Sequence, residues 1–258
     1  MTPIPTDAEL RRVYEWTAYH AVHYPTDRSE RYRRTMAALQ RFTRPPGRVL
    51  DFGAGTGVLL QRLLEAGYEA HGLEYEQSVV TRLRARTPAP VWELASLMGA
   101  DLKFDAIVMH DVLAHLPGPA DTLRALEHIL AADGVMVVAG PLEENPSLVH
   151  SIARLWRHLR GERLSAGLPA VPPTMLVRTD HRSMRRFFDV VMGYDELAFE
   201  VLEDGWPYRV AGRRPSSVRD LVRHLVGLMA VGLHRGLSVL SVPVGNRFVA
   251  VYRPCPSP

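Results

Sequence analysis

The chain has 258 residues, 47% of them hydrophobic, which suffices for one domain with insertions or two modest domains. Its net charge is only +3 and its basic residues are scattered among 28 acids, whereas a nucleic-acid enzyme usually concentrates positive charge on one face, so nucleic acid is disfavoured as a partner. The single cysteine, Cys255, excludes an internal disulfide framework and a cysteine-based metal site.

The N-terminal sequence predicts helices and not a targeting segment. It lacks the basic-then-apolar pattern of a signal peptide, and no uncharged apolar run in the chain approaches the roughly 20 residues of a membrane helix. We therefore expect a cytoplasmic protein without a transmembrane segment. Residues 7–44 predict one or two helices interrupted at Pro25, and we interpret residues 1–44 as a helical lid.

From residue 48 to about residue 140, short apolar runs alternate with helical patterns. Strands are predicted at 48–52, 69–73, 90–94, 105–109 and 135–139, and helices at 57–66, 77–86 and 119–131. This alternation is typical of a parallel sheet with helices on both faces, in which ligands bind at the carboxyl ends of the strands.

The alternation is lost after Pro141. The later elements are predicted as helices at 144–163 and 182–190, a proline-rich loop at 167–177, a strand at 196–203 and a final antiparallel edge strand at 247–253. We predict that residues 45–258 form one domain with cap insertions at about 142–180 and 205–240.

The second insertion contains a helix that Ser216 or Ser217 is expected to cap. The stretch 221–240 is apolar, although charged and histidine side chains interrupt it. Two interpretations stay open for this helix. It packs on the domain or on a second subunit, which would make a homodimer, or it contacts an acyl chain or a membrane surface.

The stretch 49–57, Val-Leu-Asp-Phe-Gly-Ala-Gly-Thr-Gly, is an apolar run that ends in an acid and a glycine-rich turn before a helix. Glycines there let the backbone turn sharply and approach a ligand. A dinucleotide fingerprint requires a third glycine where this chain has Val58. The carboxylate of Asp51 would repel a pyrophosphate but attract the ammonium or sulfonium group of S-adenosylmethionine, which favours a methyl donor over NAD.

Around these residues the chain resembles the class I S-adenosylmethionine-dependent methyltransferases, and more narrowly the methyltransferase domain 23 type, which is similar to ubiquinone-pathway O-methyltransferases. Five further stretches follow in the family's order: 68–74, 103–117, 132–138, 172–176 and 183–188. The family's residues are replaced in three places, by Ala114, Asp133 and Met175. The resemblance implies a Rossmann-like α/β fold with a seven-stranded, mostly parallel sheet, helices on both faces, an N-terminal helical lid and inserted cap segments.

The resemblance also implies a binding site for S-adenosylmethionine, with S-adenosylhomocysteine as the product. Gly53, Ala54, Gly55 and Gly57 would surround the methionine part, and Asp51 would balance its positive charge. Glu74 ends the second strand, where a carboxylate accepts both ribose hydroxyls. The remaining candidates for cofactor contacts are Tyr75, Ser96, Leu97, His110 and Tyr19.

Three of these assignments have alternatives. The hydrogen bond to the adenine amine would come from Ser96 or from the backbone. Tyr75 would stack on the adenine or lie on the surface. Tyr19 belongs to an aromatic cluster that also contains Tyr14, Trp16 and Tyr24, and the cluster either closes over cofactor and substrate or packs as an amphipathic helix.

His110 and Asp111 end the fourth strand, where methyltransferases place substrate contacts. The chain lacks the Asn/Asp-Pro-Pro-aromatic turn of amine-directed nucleic-acid methyltransferases, and Cys255 lies in the wrong place for base C5 methylation.

A hydroxyl acceptor would need a base, and the candidates are His110, His115 and His181. His115 and His181 have alternatives, as a support for the loop behind the cofactor and as part of an exposed helix cap. Gly140 and Pro141 occupy the position of a catechol-type metal site, so we predict no metal.

The sequence therefore favours methylation of a small molecule, on oxygen before nitrogen or carbon, and an arginine-rich composition suits bacterial specialised metabolism. Two other classes stay open. One is an RNA- or protein-directed methyltransferase, and the other is a binding protein that holds the cofactor without transferring its methyl group.

Overall fold

The computed structural model describes residues 29–159, 176–204, 215–238 and 242–255. The helices are α1 (Ser29–Gln40), α2 (Val58–Glu65), α3 (Gln77–Arg84), α4 (Leu94–Met98), α5 (Pro119–Glu127), α6 (Leu148–Leu159), α7 (His181–Arg186) and α8 (Val218–Ser238). The strands are β1 (Arg48–Phe52), β2 (Glu69–Leu73), β3 (Val91–Trp92), β4 (Phe104–His110), β5 (Leu130–Pro141), β6 (Tyr194–Leu202) and β7 (Arg247–Pro254). A 3₁₀ turn spans Leu113–His115, and α7 continues into a π-helical turn at Phe187–Val191.

The seven strands form one sheet in the order β3-β2-β1-β4-β5-β7-β6. The pairs from β3 to β5 are parallel, and β7 is antiparallel to both of its neighbours. The predicted α/β fold with a seven-stranded, mostly parallel sheet is confirmed. The carboxyl ends of β1, β2, β4 and β5 meet at one edge of the sheet, which we call the carboxyl edge.

The prediction that the last strand lies at the edge of the sheet was wrong. β7 pairs with β5 on one side and with β6 on the other, and its residues Arg247–Tyr252 are buried. A strand covered on both faces is expected to be continuously apolar, as Phe248–Tyr252 is. The outer strand is β6, which carries Asp195, Glu196 and Glu200 and so suits an edge that meets water.

Helices cover both faces of the sheet, as predicted. On one face, α1, α2 and α3 pack on Val49, Ala106, Val108 and Val137. On the other face, α4, α5 and α7 pack on the alternate residues of the same strands, such as Leu50, Ile107, Met109 and Val138. The alternation along β4 places His110 on the face that α1 covers, because it follows Ala106 and Val108 by the period of two.

Two predicted helix bounds differ from the structure by more than the others. The helix predicted at 119–131 ends at Glu127, because Leu130 already pairs with Phe104 as the first residue of β5. The helix predicted from residue 144 begins at Leu148, where the buried carboxylate of Glu203 accepts hydrogen bonds from the backbone N–H groups of Leu148 and Val149, both at 3.0 Å. Because Glu203 follows β6 and lies far along the chain, the sequence around α6 does not indicate this cap.

The predicted cap of α8 is confirmed at Ser217, whose Oγ accepts a hydrogen bond from the backbone N–H of Asp220 at 3.1 Å. The helix contacts α6 and buries Ala230. It exposes a set of large apolar side chains: Val218, Leu221, Leu225, Leu228, Met229 and Leu233. The choice between a second subunit and a lipid as the contact of this helix stays a prediction. Within the described ranges, no helix is both long and apolar enough to cross a membrane.

Candidate functional site

The glycine turn lies where β1 ends at the carboxyl edge. The backbone N–H groups of Gly53 and Ala54 donate to the carbonyl oxygen of Leu73, at 2.9 and 3.0 Å, which ties the turn to the end of β2. Gly53 has a φ of 80°, and a Cβ on it would lie 2.5 Å from Cγ2 of Val112. A side chain at this position would therefore strain the backbone and clash with Val112 in the turn that follows β4.

Gly55 lies at the outer part of the same turn. Its φ is 52°, and the nearest atom that a Cβ would meet is the carbonyl oxygen of Gly53 at 3.8 Å. Among the described residues this glycine therefore borders open space, and a side chain there would occupy the room that a ligand needs. Gly57 precedes the first residue of α2, so the turn leads into a helix N-terminus.

Asp51 is the acid at the carboxyl end of β1. Asp51 is 2% exposed, and its Oδ2 has no hydrogen-bond partner in the described part of the chain. Burial, and secondarily the negative charge of Glu74, raise the pKa of the Asp51 carboxyl to about 7. Among the described residues, no positive charge contributes to the pKa of this acid, and a cationic ligand would supply one.

The carboxylate of Glu74 binds the glycine turn. Its Oε2 accepts a hydrogen bond from the backbone N–H of Gly55, and its Oε1 accepts one from the backbone N–H of Tyr75, both at 2.8 Å. Each carboxylate oxygen keeps a further acceptor position, so two ligand hydroxyls can still be bound. Glu74, which we predicted to bind the ribose, therefore lies against the glycine turn.

The remaining predicted cofactor contacts differ in position. Tyr75 is 53% exposed beside Glu74, and Ser96 is exposed on α4. Leu97 is fully buried in the core and its backbone N–H donates to Glu93, so its side chain is turned away from a ligand. Tyr19 and the rest of the aromatic cluster lie outside the described residues.

His110 lies under α1 at the end of β4. Its Nδ1 is 2.9 Å from Oγ1 of Thr35, and that hydroxyl donates to the carbonyl oxygen of Arg31 at 3.3 Å. The hydrogen bond between Thr35 and His110 holds the imidazole against α1. The ring of Tyr32 packs on the imidazole at a centroid distance of 4.6 Å, and only 4% of the His110 side chain is exposed.

Asp111 follows His110 with a φ of 61°, which is rare for a residue other than glycine. Its Oδ2 is 3.9 Å from Nε2 of His110 and 3.7 Å from the guanidinium of Arg31, and its Oδ1 accepts a hydrogen bond from Arg247. Arg31 also pairs with Asp204. The strained aspartate is thus held by charges from α1 and β7, and the two arginines are neutralised by two acids.

The other two predicted histidines lie beyond β4. His115 is half-buried at the end of the 3₁₀ turn. The preceding residue, Ala114, accepts backbone hydrogen bonds from Leu176 and Val177, at 2.8 and 3.1 Å, so the chain that leads to His181 returns to this turn.

His181 is the first residue of α7, after the N-cap Asp180, whose Oδ1 accepts a hydrogen bond from the N–H of Ser183 at 2.7 Å. The predicted cap role therefore belongs to Asp180. The ring of His181 instead binds Asn145, with 2.6 Å between Nδ1 and Oδ1. Burial lowers the pKa of His181, and the negative charge of Asp180 opposes this effect.

Sequence reasoning missed Thr35, Asn145 and Arg247. Thr35 carries a weak signal, because it is a polar residue on the apolar face of α1, beside Met36 and Leu39. Asn145 and Arg247 carry none, since their partners are distant in the chain. Among the described residues, no group of three histidine, cysteine, aspartate or glutamate side chains is placed to hold a metal ion, and the predicted absence of a metal stays a prediction.

Comparison with known sequences identifies the family. The family model described as a methyltransferase domain, methyltransferase 23, matches residues 24–178. The demethylmenaquinone methyltransferase of Paenarthrobacter aurescens is 25% identical over 167 residues, which are 62% of this chain and 62% of that protein. The ubiquinone biosynthesis O-methyltransferase of Bordetella pertussis is 32% identical over 109 residues, 38% of this chain and 44% of that protein. The chain spans less than two thirds of the length of the curated relatives that it matches.

Solved structures share the fold. The 1,6-didemethyltoxoflavin-N1-methyltransferase of Burkholderia thailandensis, with its substrate and S-adenosylhomocysteine bound, aligns with a TM-score of 0.60 at 16% identity, over 98% of this chain and 92% of that one. A S-adenosylmethionine-dependent methyltransferase of Geobacter sulfurreducens, in complex with S-adenosylhomocysteine, aligns with a TM-score of 0.55 at 15% identity, over 95% and 98%. The chain therefore belongs to the methyltransferase domain family, as its resemblance to the class I S-adenosylmethionine-dependent methyltransferases predicted.

Proposed function

We propose that the protein transfers the methyl group of S-adenosylmethionine to a hydroxyl group of a small molecule. The observation that carries the proposal is the buried Asp51 carboxyl, whose Oδ2 lacks a partner in the described part of the chain beside a turn with open space at Gly55. A cation bound at this turn would complete the electrostatics of the acid, and the methyl donor is a cation.

The residues present fit this donor. Asp51 would neutralise its positive charge, and the backbone of Gly53, Ala54, Gly55 and Gly57 would enclose its methionine part. Glu74 would accept the ribose hydroxyls on the oxygen positions that Gly55 and Tyr75 leave open. Tyr75 follows the end of β2 and Ser96 follows the end of β3, and both are exposed, so we assign them to contacts with the adenine. When bound, the donor supplies a methyl group already activated by the positive charge on sulfur.

A small acceptor is supported by the names of the relatives and by the residues at the carboxyl edge. The demethylmenaquinone methyltransferase, the ubiquinone-pathway O-methyltransferase and the toxoflavin enzyme are named for small-molecule substrates. His110 ends β4, His115 ends the turn after it, and His181 begins α7. These histidines are our candidate bases for a hydroxyl acceptor. The sequence after β4 lacks the Pro-Pro-aromatic turn of an amine-directed enzyme. Bacterial specialised metabolism is the setting that we propose for such an acceptor.

Two measurements test the proposal. Calorimetry should show that S-adenosylmethionine binds with micromolar or better affinity, and S-adenosylhomocysteine should raise the melting temperature by mass action. Acceptors are then screened for release of S-adenosylhomocysteine, with mass spectrometry to locate the added methyl group. Binding of NAD with no response to S-adenosylmethionine would refute the proposal.

Methylation on nitrogen is the second candidate, since the toxoflavin enzyme is named as an N1-methyltransferase. The same product analysis separates the two, because fragmentation shows whether the methyl group is carried by oxygen or nitrogen.

A further inference from the structure

Asn145 and His181 form a pair whose proton positions are determined by the surrounding backbone. Asn145 lies buried in the loop after β5, and its Nδ2 donates to the carbonyl oxygens of Gly245 and Pro243, at 2.8 and 2.9 Å. Because a carbonyl oxygen can only accept, the amide nitrogen must face these two groups. The amide oxygen, Oδ1, therefore faces the opposite direction, toward His181.

Oδ1 of Asn145 lies 2.6 Å from Nδ1 of His181 and also accepts from the His181 backbone N–H at 3.3 Å. An amide oxygen cannot donate, so Nδ1 carries the proton of this hydrogen bond. A neutral imidazole has one N–H, and Nε2 is then left with its lone pair. The pair thus holds His181 in the tautomer that free histidine in water favours less.

The pair lies at the carboxyl edge of the sheet. Asn145 follows the end of β5, and the neighbouring strand β4 ends at His110, which is paired with Ala139. The chain that leads into His181 is bonded to the turn after β4 through Ala114, and the Glu144 N–H donates to the carbonyl oxygen of Thr179 at 3.2 Å. In this fold class, acceptors bind at this edge.

His181 meets the requirements of a base better than His110. Only 4% of the His110 side chain is exposed, because α1 and Tyr32 cover it. His181 is only half-buried at the start of α7. Burial and the nearby positive charges of Arg182 and Arg185 lower the pKa of His181, against the opposing charge of Asp180, which favours the neutral form.

We propose that His181 is the general base of the methyl transfer and that Asn145 is the residue that positions it. The inference rests on the proposed function and narrows the acceptor to one whose hydroxyl loses its proton during the transfer. The acceptor oxygen forms the new C–O bond while the S–C bond breaks, sulfur keeps that electron pair, and the hydroxyl proton passes to Nε2 of His181. The products are the methyl ether, S-adenosylhomocysteine and the protonated imidazole.

The test begins with the ring nitrogens. Protein labelled with ¹⁵N-histidine is examined by NMR at neutral pH without cofactor, and the His181→Gln variant identifies the signals of His181. We expect the wild type to show a protonated Nδ1 and an unprotonated Nε2. In Asn145→Leu, which has no acceptor at this position, we expect a shift toward the Nε2–H tautomer. A wild type with Nε2 protonated overturns the inference, whatever the stability of the variants.

Kinetics with an acceptor from the screen complete the test. His181→Gln should lower kcat by about a hundredfold or more, while S-adenosylmethionine binds as tightly as to the wild type. His128→Gln, the same change at an exposed histidine on α5's carboxyl end, should keep wild-type turnover. Full turnover in His181→Gln, or its loss in His110→Gln alone, overturns the inference. Failure of the wild type to bind S-adenosylmethionine would instead refute the proposed function.

Discussion

Replacing Asp51 by asparagine removes a buried acid while nearly preserving the shape of its side chain. The folded protein raises the pKa of this carboxyl from 3.8 to about 7, mainly by burial. Between these two values the folded chain keeps a proton that the unfolded chain releases. The contribution of Asp51 to stability is therefore fully present at low pH and is lost as pH rises toward the folded-state pKa.

The pKa difference corresponds to about 4 kcal/mol over the whole range. Between about pH 5 and pH 8 the variant should gain about 2–3 kcal/mol of unfolding free energy relative to the wild type. Urea denaturation of both proteins at several pH values measures this difference, and other titrating groups cancel in the comparison. Asp101→Asn, the same substitution at an exposed position, shows the effect of removing a surface carboxylate.

The same acid should link cofactor binding to pH. A cation at the glycine turn favours the ionised form of Asp51, so binding should release a proton near neutrality. The affinity of the wild type for S-adenosylmethionine should rise as pH increases through about 7, and that of Asp51→Asn should be weaker and nearly independent of pH. Calorimetry in buffers of different ionisation enthalpy counts the protons. Parallel stability curves for wild type and variant from pH 5 to pH 8 would refute this account of the buried acid.

Three further predictions concern single side chains. Glu74→Ala should weaken binding of S-adenosylmethionine by about 1–3 kcal/mol, the scale of hydrogen bonds to a charged group, and equal binding in calorimetry would remove Glu74 from the ribose role. Gly55→Ala should lose cofactor affinity at a small cost in stability, because its φ of 52° strains an alanine and its Cβ enters open space. Gly53→Ala should lower the melting temperature more, because its Cβ would also lie 2.5 Å from Cγ2 of Val112, and the reverse order of effects would contradict the geometry. Glu203→Ala should cost about 1–3 kcal/mol in urea denaturation, because it leaves the buried start of α6 without its cap, and an unchanged midpoint would show that water replaces it.

Local patterns predicted the first five strands. The apolar runs that became β1 and β2 match the structure to the residue, because short buried strands bounded by turns leave a clear periodic signal. The proximity of the glycine turn to Glu74 also follows from the strand pattern, since both follow parallel strands and must meet at one edge, while their role toward a cofactor stays a prediction. The structure places the carboxylate of Glu74 on the N–H of Gly55.

The features that sequence reasoning missed depend on partners far along the chain. Asn145 contacts His181 and Gly245, and Thr35 contacts His110, over separations that no local pattern encodes. The interior position of β7 depends on strand order, which is a property of the assembled sheet. His110 was expected among the substrate contacts because it ends a strand, and the helix that covers it, α1, lies within the predicted lid.

The position of β7 inside the sheet also constrains how the protein is made. β6 is complete at Leu202, yet its partner in the described sheet, β7, begins only at Arg247. During synthesis, β5 and β6 both present open hydrogen-bonding edges until that last segment has left the ribosome. Unpaired strand edges of this kind form hydrogen bonds with other chains and so promote aggregation. A protein terminated before Arg247 should therefore aggregate even though every residue of the candidate cofactor site has already been synthesised.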